Sequence, residues 1–356
     1  MSNGVFVIAE AGVNHNGDVE IAHRLVDIAA DAGADAVKFQ TFVAEEVIST
    51  HAPKAQYQID TTGNRDSQLK MVKSLELPRP VHYDLVQHCR NRNIAFLSTP
   101  FDLESLAFLA YEICLGTLKI SSGEITNAPL LVSAGKTGAR IILSTGMSNI
   151  EEVELALAAL SFGAVGSGQP STEQFLAVLN SAAGRLAIAD RVTLLHCTTE
   201  YPAPYVDVNL RAMATLRERF GVRVGLSDHT AGINIPIAAV AMGAAVIEKH
   251  FTLDHTFDGP DHKASLEPAE LVAMVKGIRQ VEMALGDQRK FCTPSETGNR
   301  DVVRKSLVAR TPIRRGEIFD GTNLCVKRPG YGISPMHYWD WIGRVAERDY
   351  EADEVI

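Results

Sequence analysis

The chain has 356 residues, 46% of them apolar and 22% charged, and its 34 basic against 43 acidic side chains give a formal net charge of −9. This length and composition support a large core without covalent staples, and they exclude a disordered chain, a collagen-like repeat and a disulfide scaffold. The acidic balance excludes a nucleic-acid footprint.

Eight short apolar, mostly β-branched runs follow one another: VFVIAE (5–10), DAVKFQ (35–40), IAFLS (94–98), TLKIS (117–121), RIILS (140–144), VTLLHC (192–197), VRVGL (222–226) and AVIEK (245–249). Such continuous runs suit strands buried on both faces of a parallel sheet. Helical spacing fills the intervals, for example Ile21, Leu25, Ile28 and Ala29 after Gly17-Asp18. This alternation predicts an α/β fold, a (β/α)8 TIM barrel over residues 1–285. A doubly wound open sheet ranks below it, because no GxGxxG turn follows the first run.

Two connections exceed what a bare barrel needs. Residues 42–78 follow the second strand, where a long loop shapes a substrate pocket. Residues 161–190 begin SFGAVGSGQPST, which reads as a flexible loop before an inserted helix, and the insert is longer than the fold requires. Residues 286–297 lack an apolar period and read as a linker. Beyond it, 298–356 reads as a small mostly-β domain, with Trp339 and Trp341 as its packing core.

The five cysteines (Cys89, Cys114, Cys197, Cys292 and Cys325) are odd in number, widely spaced and free of CxxC pairs, which predicts reduced thiols in a cytoplasmic protein. The N-terminus lacks a secretory pattern, and the longest nearly apolar run, 235–247, is about 13 residues. That is short of the ~20 of a membrane helix, so no membrane partner is expected.

A barrel carries its chemistry at the C-terminal ends of its strands. All eight runs end in polar or ionisable residues, among them Glu10, Gln40, Thr99, Ser122, Glu124, Thr199, Ser227, His229 and His250. Lys38 and Lys119 sit inside apolar runs. A buried lysine needs a partner, so these two either pair with Glu10 or Glu124 or face an anionic ligand; a lysine Schiff base is a third option. With the hydroxyls of Thr99, Ser122 and Ser227, two cations suit a phosphate and a carboxylate together. His229 and His250 end neighbouring strands and form a candidate pair of ligands for a labile divalent ion such as Mn2+, with oxygen from water, substrate or Glu10 completing the shell. Glu124 and Asp261 are candidates for contacting sugar hydroxyls or moving protons, and His15 and His262 read as structural or rim residues.

The segments IAEAGVNHNG, DAVKFQTF, FLSTPFD, KISSGE, ILSTGM, LLHCTTEYPAP, GLSDHT, EKHFTLD and GPDHKASLEP resemble the motifs of the sialic (nonulosonic) acid synthases, in the same order along nearly the whole chain. The stretch VRKSLVARTPIRRGEIF with NLCVKRPGYGIS resembles their SAF domain, an antifreeze-like β-clip module. The resemblance implies a metal-dependent condensation of phosphoenolpyruvate with N-acetylmannosamine by C–O cleavage, giving N-acetylneuraminate and phosphate. The alternative acceptor is 2,4-diacetamido-2,4,6-trideoxymannose, giving a legionaminate, toward which LSTPFDLES and CTTEYPAP lean.

The resemblance assigns His229 and His250 to the metal, which it implies is Mn2+ ahead of Mg2+ or Co2+. It places Lys38, Thr99, Lys119, Ser122 and Ser227 around phosphoenolpyruvate, with Thr199 at the phosphate. Gln40, Glu124, Tyr201 and Asp261 fall around the aminosugar, and Glu10 near the metal and the aldehyde. Arg328 matches the arginine that the SAF domain extends over the sugar's N-acetyl group from the partner subunit of a domain-swapped homodimer. Glu10, Glu124, Lys38 and Lys119 are the catalytic candidates. A metal-dependent barrel lyase or isomerase would not need the two lysines with their hydroxyls. An ice-binding or scaffolding role, suggested by the tail alone, would leave the polar strand ends unused.

Overall fold

The computed structural model describes residues 4–54, 58–59 and 66–356. The chain divides into two compact units, Met1–Gly286 and Asp287–Ile356. The first is built on eight strands: β1 Phe6–Gly12, β2 Ala36–Thr41, β3 Ala95–Pro100, β4 Thr117–Ile120, β5 Arg140–Ser144, β6 Val192–Cys197, β7 Arg223–Asp228 and β8 Val246–His250. All ladders are parallel, in the order β3-β2-β1-β8-β7-β6-β5-β4. β3 and β4 lie against each other and bring the ring nearly to closure. The eight strands are those expected from the apolar runs.

Strand alternation explains where the site lies. Ile8, Ala36, Leu97, Ile142, Leu195 and Val246 point inward and form an apolar floor. Their neighbours, such as Val7, Val37, Leu194 and Ile247, belong to the larger core between barrel and helices. Two residues further along each of these six strands, the next inward side chain is Glu10, Lys38, Thr99, Ser144, Cys197 or Glu248. A two-residue step is ~6.6 Å of strand, so a polar ring sits one layer above the floor.

The helices are set by local signals. Asp18 accepts hydrogen bonds from the amides of Glu20 and Ile21 and starts the helix Val19–Asp31, which buries Ala22, Leu25, Val26 and Ala29. Residues 161–190 depart from expectation. The helix Ile150–Val165 continues through SFGAV, and two helices follow, Thr172–Asn180 and Ala182–Arg191. The glycine at 163 serves packing, since a Cβ there would lie 2.1 Å from the carbonyl oxygen of Val132 on the helix Ala128–Lys136. Of the 42–78 segment, the described part carries short helices at Ala44–Val47 and Gln68–Lys73, and 55–57 and 60–65 lie outside the described residues.

In the second unit, β9 Ser306–Ala309 and β10 Leu324–Lys327 pair antiparallel. They enclose a core of Leu307, Ala309, Ile313, Phe319, Leu324 and Ala346. The expected linker runs into a helix at Pro294–Val303, capped by Thr293 and Glu296. Trp341 packs on Phe319, but Trp339 is 80% exposed and is not part of that core. Among the described residues no helix is long and apolar enough to cross a membrane.

Candidate active site

A cavity of about 290 Å3 opens at the C-terminal ends of the barrel strands. Twelve of the fourteen residues singled out in the sequence line it: Glu10, Lys38, Gln40, Thr99, Lys119, Ser122, Thr199, Tyr201, Ser227, His229, His250 and Asp261. Glu124 lies outside the lining and accepts a hydrogen bond from Asn127 at 2.7 Å. Arg328 is exposed, one residue beyond β10 in the second unit. His15 and His262 are buried and do not line the cavity; the His262 ring bonds the Thr252 hydroxyl at 2.6 Å.

The polar ring is a charge network. Lys38 Nζ sits 2.7 Å from Glu10 Oε2, donates to Thr99 Oγ1 at 2.9 Å and lies 3.7 Å from Glu248 Oε2. Lys119 Nζ lies 3.5 Å from Glu248 Oε1 and donates to the Ile120 carbonyl at 3.2 Å. Ser227 donates to Glu248 Oε1 at 2.8 Å. The two lysines are therefore paired with carboxylates, with Glu10 and Glu248 but not Glu124. Glu248 joins both cations and a hydroxyl, and the sequence reading did not single it out. Its signal was positional: it lies two residues past Val246 of the floor and in register with Ser227 on β7.

All four charges are buried, and this sets their titration. Burial dominates at Glu10 and pushes its carboxyl up to about 7 despite Lys38. Burial also lowers the Lys119 ammonium. At Lys38 burial opposes the charge, but Glu10 and Glu248 outweigh it and hold the ammonium high. At Glu248 burial is likewise outweighed, by Lys119 and Lys38, so the carboxylate stays low. Asp261 is pushed up to about 6 by burial.

The imidazoles of His229 and His250 lie with ring centroids 5.4 Å apart. Tyr201 stacks on His229 at 4.1 Å and meets His250 edge-on at 5.6 Å. His229 Nδ1 bonds the Thr198 carbonyl at 2.7 Å, which fixes the ring and leaves Nε2 as its free nitrogen. His250 Nδ1 is buried without a hydrogen-bond partner and lies 3.8 Å from Asp261 Oδ2. Among the described residues no cluster of three or more His, Cys, Asp or Glu has the geometry of a metal cage. Two imidazoles, one with an orphaned buried nitrogen, fit a labile divalent ion whose remaining positions belong to water or substrate, and do not form a closed structural zinc centre.

The 42–78 segment gives the cavity a mostly apolar mouth: Phe42, Val47, Ile48, Met71, Val72 and Leu75 line it, with Gln58 and Gln68 of the same segment and Met147 from elsewhere in the chain. Their sequence spacing has no single period, so the segment read only as a pocket-shaping loop.

The model of the NeuB family matches residues 25–290, and that of the SAF domain matches 304–356. The chain is 52% identical over 350 residues to the N,N'-diacetyllegionaminic acid synthase of Campylobacter jejuni subsp. jejuni serotype O:2, covering 98% of both. It is 42% identical to the enzyme of the same name from Legionella pneumophila subsp. pneumophila, over 95% of this chain and 89% of that one. A crystal structure of N-acetylneuraminic acid synthetase from Leptospira borgpetersenii serovar Hardjo-bovis aligns with TM-score 0.66 at 34% identity, over 83% of this chain and 90% of that chain. The chain belongs to the NeuB family and ends in a SAF domain.

Proposed function

We propose that this member of the NeuB family joins phosphoenolpyruvate to 2,4-diacetamido-2,4,6-trideoxymannose, giving an N,N'-diacetyllegionaminate and inorganic phosphate. The 52% identity to the Campylobacter jejuni synthase, over 98% of both chains, carries the choice of acceptor. It moves the reading away from N-acetylmannosamine, the acceptor first expected. The apolar mouth formed by Phe42, Val47, Ile48, Met71, Val72 and Leu75 supports the same choice. It suits a 6-deoxy carbon and a second acetamido methyl better than the 4- and 6-hydroxyls of N-acetylmannosamine.

Lys38 and Lys119 would neutralise the phosphate and carboxylate of phosphoenolpyruvate, with Thr99, Ser122, Thr199 and Ser227 as directional donors. Against two lysines and Glu248, a protonated Glu10 leaves the ring with one net positive charge. An ionised Glu10 leaves it neutral. Burial raises Glu10 to about 7, so near neutral pH it can hold a proton as the anion enters and exchange it during turnover. Gln40, Tyr201 and Asp261 would position the sugar. C3 of phosphoenolpyruvate attacks the aldehyde carbon, and the former carbonyl oxygen gains a proton. Water adds at C2 of the pyruvyl unit and gives up its protons. The C2–O bond then breaks, phosphate leaves and a 2-keto acid remains. A divalent ion held by His229 and His250 would supply Lewis-acid polarisation of the aldehyde oxygen.

Phosphate release from phosphoenolpyruvate, measured with Mn2+ and each acceptor in turn, tests the reading. The diacetamido sugar is expected to give the higher kcat/KM. A higher value for N-acetylmannosamine overturns the acceptor, and no release with either overturns the synthase reading.

A further inference from the structure

Each metal-candidate histidine has a charged residue beside it that faces away from the cavity. On β8, Glu248 and His250 point inward, so Lys249 points with Ile247 into the layer between barrel and helices. On β7, Ser227 points inward and Asp228 outward with Leu226. Asp228 and Lys249 are direct register partners across the two strands. Lys249 is fully buried and Asp228 is 2% exposed. Lys249 Nζ lies 2.6 Å from Asp228 Oδ2 and also donates to the Thr230 carbonyl. Asp228 accepts from the Thr230 amide at 3.2 Å and from its hydroxyl at 3.0 Å. Thr230 is itself fully buried. The residues before and after His229 are thus tied to one ammonium group, and the residue after that lysine is His250.

From this juxtaposition we infer that Asp228, Thr230 and Lys249 are positioning residues that set the separation of the His229 and His250 imidazoles, and so set the affinity of the site for its divalent ion. The inference rests on the reading of those histidines as metal ligands. None of the three lines the cavity. A buried ion pair is weak evidence for stability, since apolar residues of similar volume often replace such a pair without loss. Its placement between two ligands is what gives it another purpose. Groups behind metal ligands that hold their orientation contribute ~10–100-fold to metal affinity.

The double variant Asp228→Leu/Lys249→Met removes both charges and keeps the volume, and Thr230→Val removes one hydroxyl. Mn2+ binding to the full chain is followed by electron paramagnetic resonance, beside urea midpoints. The double variant leaves the buried Thr230 amide, hydroxyl and carbonyl without these partners, so its midpoint is expected to fall, and it is expected to bind Mn2+ at least tenfold more weakly, with a smaller loss, still above twofold, for Thr230→Val. A folded double variant that binds Mn2+ within twofold of the parent overturns the inference. If the double variant does not fold, the same threshold applied to Thr230→Val decides. A parent that binds no Mn2+ overturns the metal reading and this inference together. A parent that binds, beside variants that bind as well, overturns this inference alone.

Discussion

Replacing Glu248 by glutamine removes one charge from the centre of the ring and keeps an acceptor for Ser227. The lost carboxylate lies 3.5 Å from Lys119 Nζ and 3.7 Å from Lys38 Nζ. At an effective dielectric of ~20 each interaction is worth ~4–5 kcal/mol. Part of this is recovered from the amide dipole, and the net loss lowers the pKa of the neighbouring ammonium. Lys38 retains Glu10 at 2.7 Å, so Lys119, already lowered by burial, gives up its proton. The variant then loses a cation for phosphoenolpyruvate near neutral pH, and kcat/KM for that substrate drops ~10²–10³-fold. A lysine with a lowered pKa is charged below it, so activity in E248Q rises as the pH is lowered from 9 toward 6. The parent shows only the limb of Glu10, near 7, over the same range and lacks this additional one. The assay is phosphate release at saturating acceptor and Mn2+, with phosphoenolpyruvate varied at each pH. A folded E248Q with an unchanged profile, or with a lower KM for phosphoenolpyruvate, refutes the reasoning. The lysines would then be charged without Glu248, and the carboxylate would merely repel the substrate.

Three further outcomes are expected. Chelation with EDTA abolishes phosphate release and added Mn2+ restores it; no recovery with any divalent ion argues against the histidine site. His15 is fully buried, its Nδ1 accepts from the Gly17 amide at 2.9 Å, and burial and His82 push the ring down to about 4. Its folded pKa lies below the unfolded value, so its contribution to stability is present above ~6.5 and is lost as the pH falls toward 4, with ~2 kcal/mol gone at pH 5. Urea unfolding at pH 7.5 and 5 should show that loss shrink by about this amount in His15→Asn, and an identical loss in both proteins would dismiss the assignment. Arg328→Ala should raise KM for the acceptor at least tenfold with little change in KM for phosphoenolpyruvate, and the parent should elute as a homodimer; equal effects on both KM values would remove Arg328 from the sugar site.

The barrel was legible because strands buried on both faces keep unbroken apolar runs, and each run ended within two residues of an observed strand. Lys38 and Lys119 stood out because a cation inside such a run demands a partner. Glu248 did not stand out, because between Ile247 and Lys249-His250 it reads as one more polar strand end; only its alignment with Ser227 shows that it closes the network. Gly163 read as a loop residue because a glycine needed for helix contact has the same letter as one needed for a turn. The apolar mouth was hidden for another reason: its members come from Phe42 through Leu75 in a segment without regular period, and they converge only in space.

The floor of Ile8, Ala36, Leu97, Ile142, Leu195 and Val246, with the polar ring one layer above, makes the barrel modular. The polar ring is written into the strands, where a change in one side chain disturbs both the floor below and the ladder beside it. The apolar mouth is written into a segment outside those ladders. A new acceptor could therefore be acquired by exchanging residues 42–78 as a cassette. The strands, and the chemistry of phosphoenolpyruvate, would pass unchanged from one enzyme to the next.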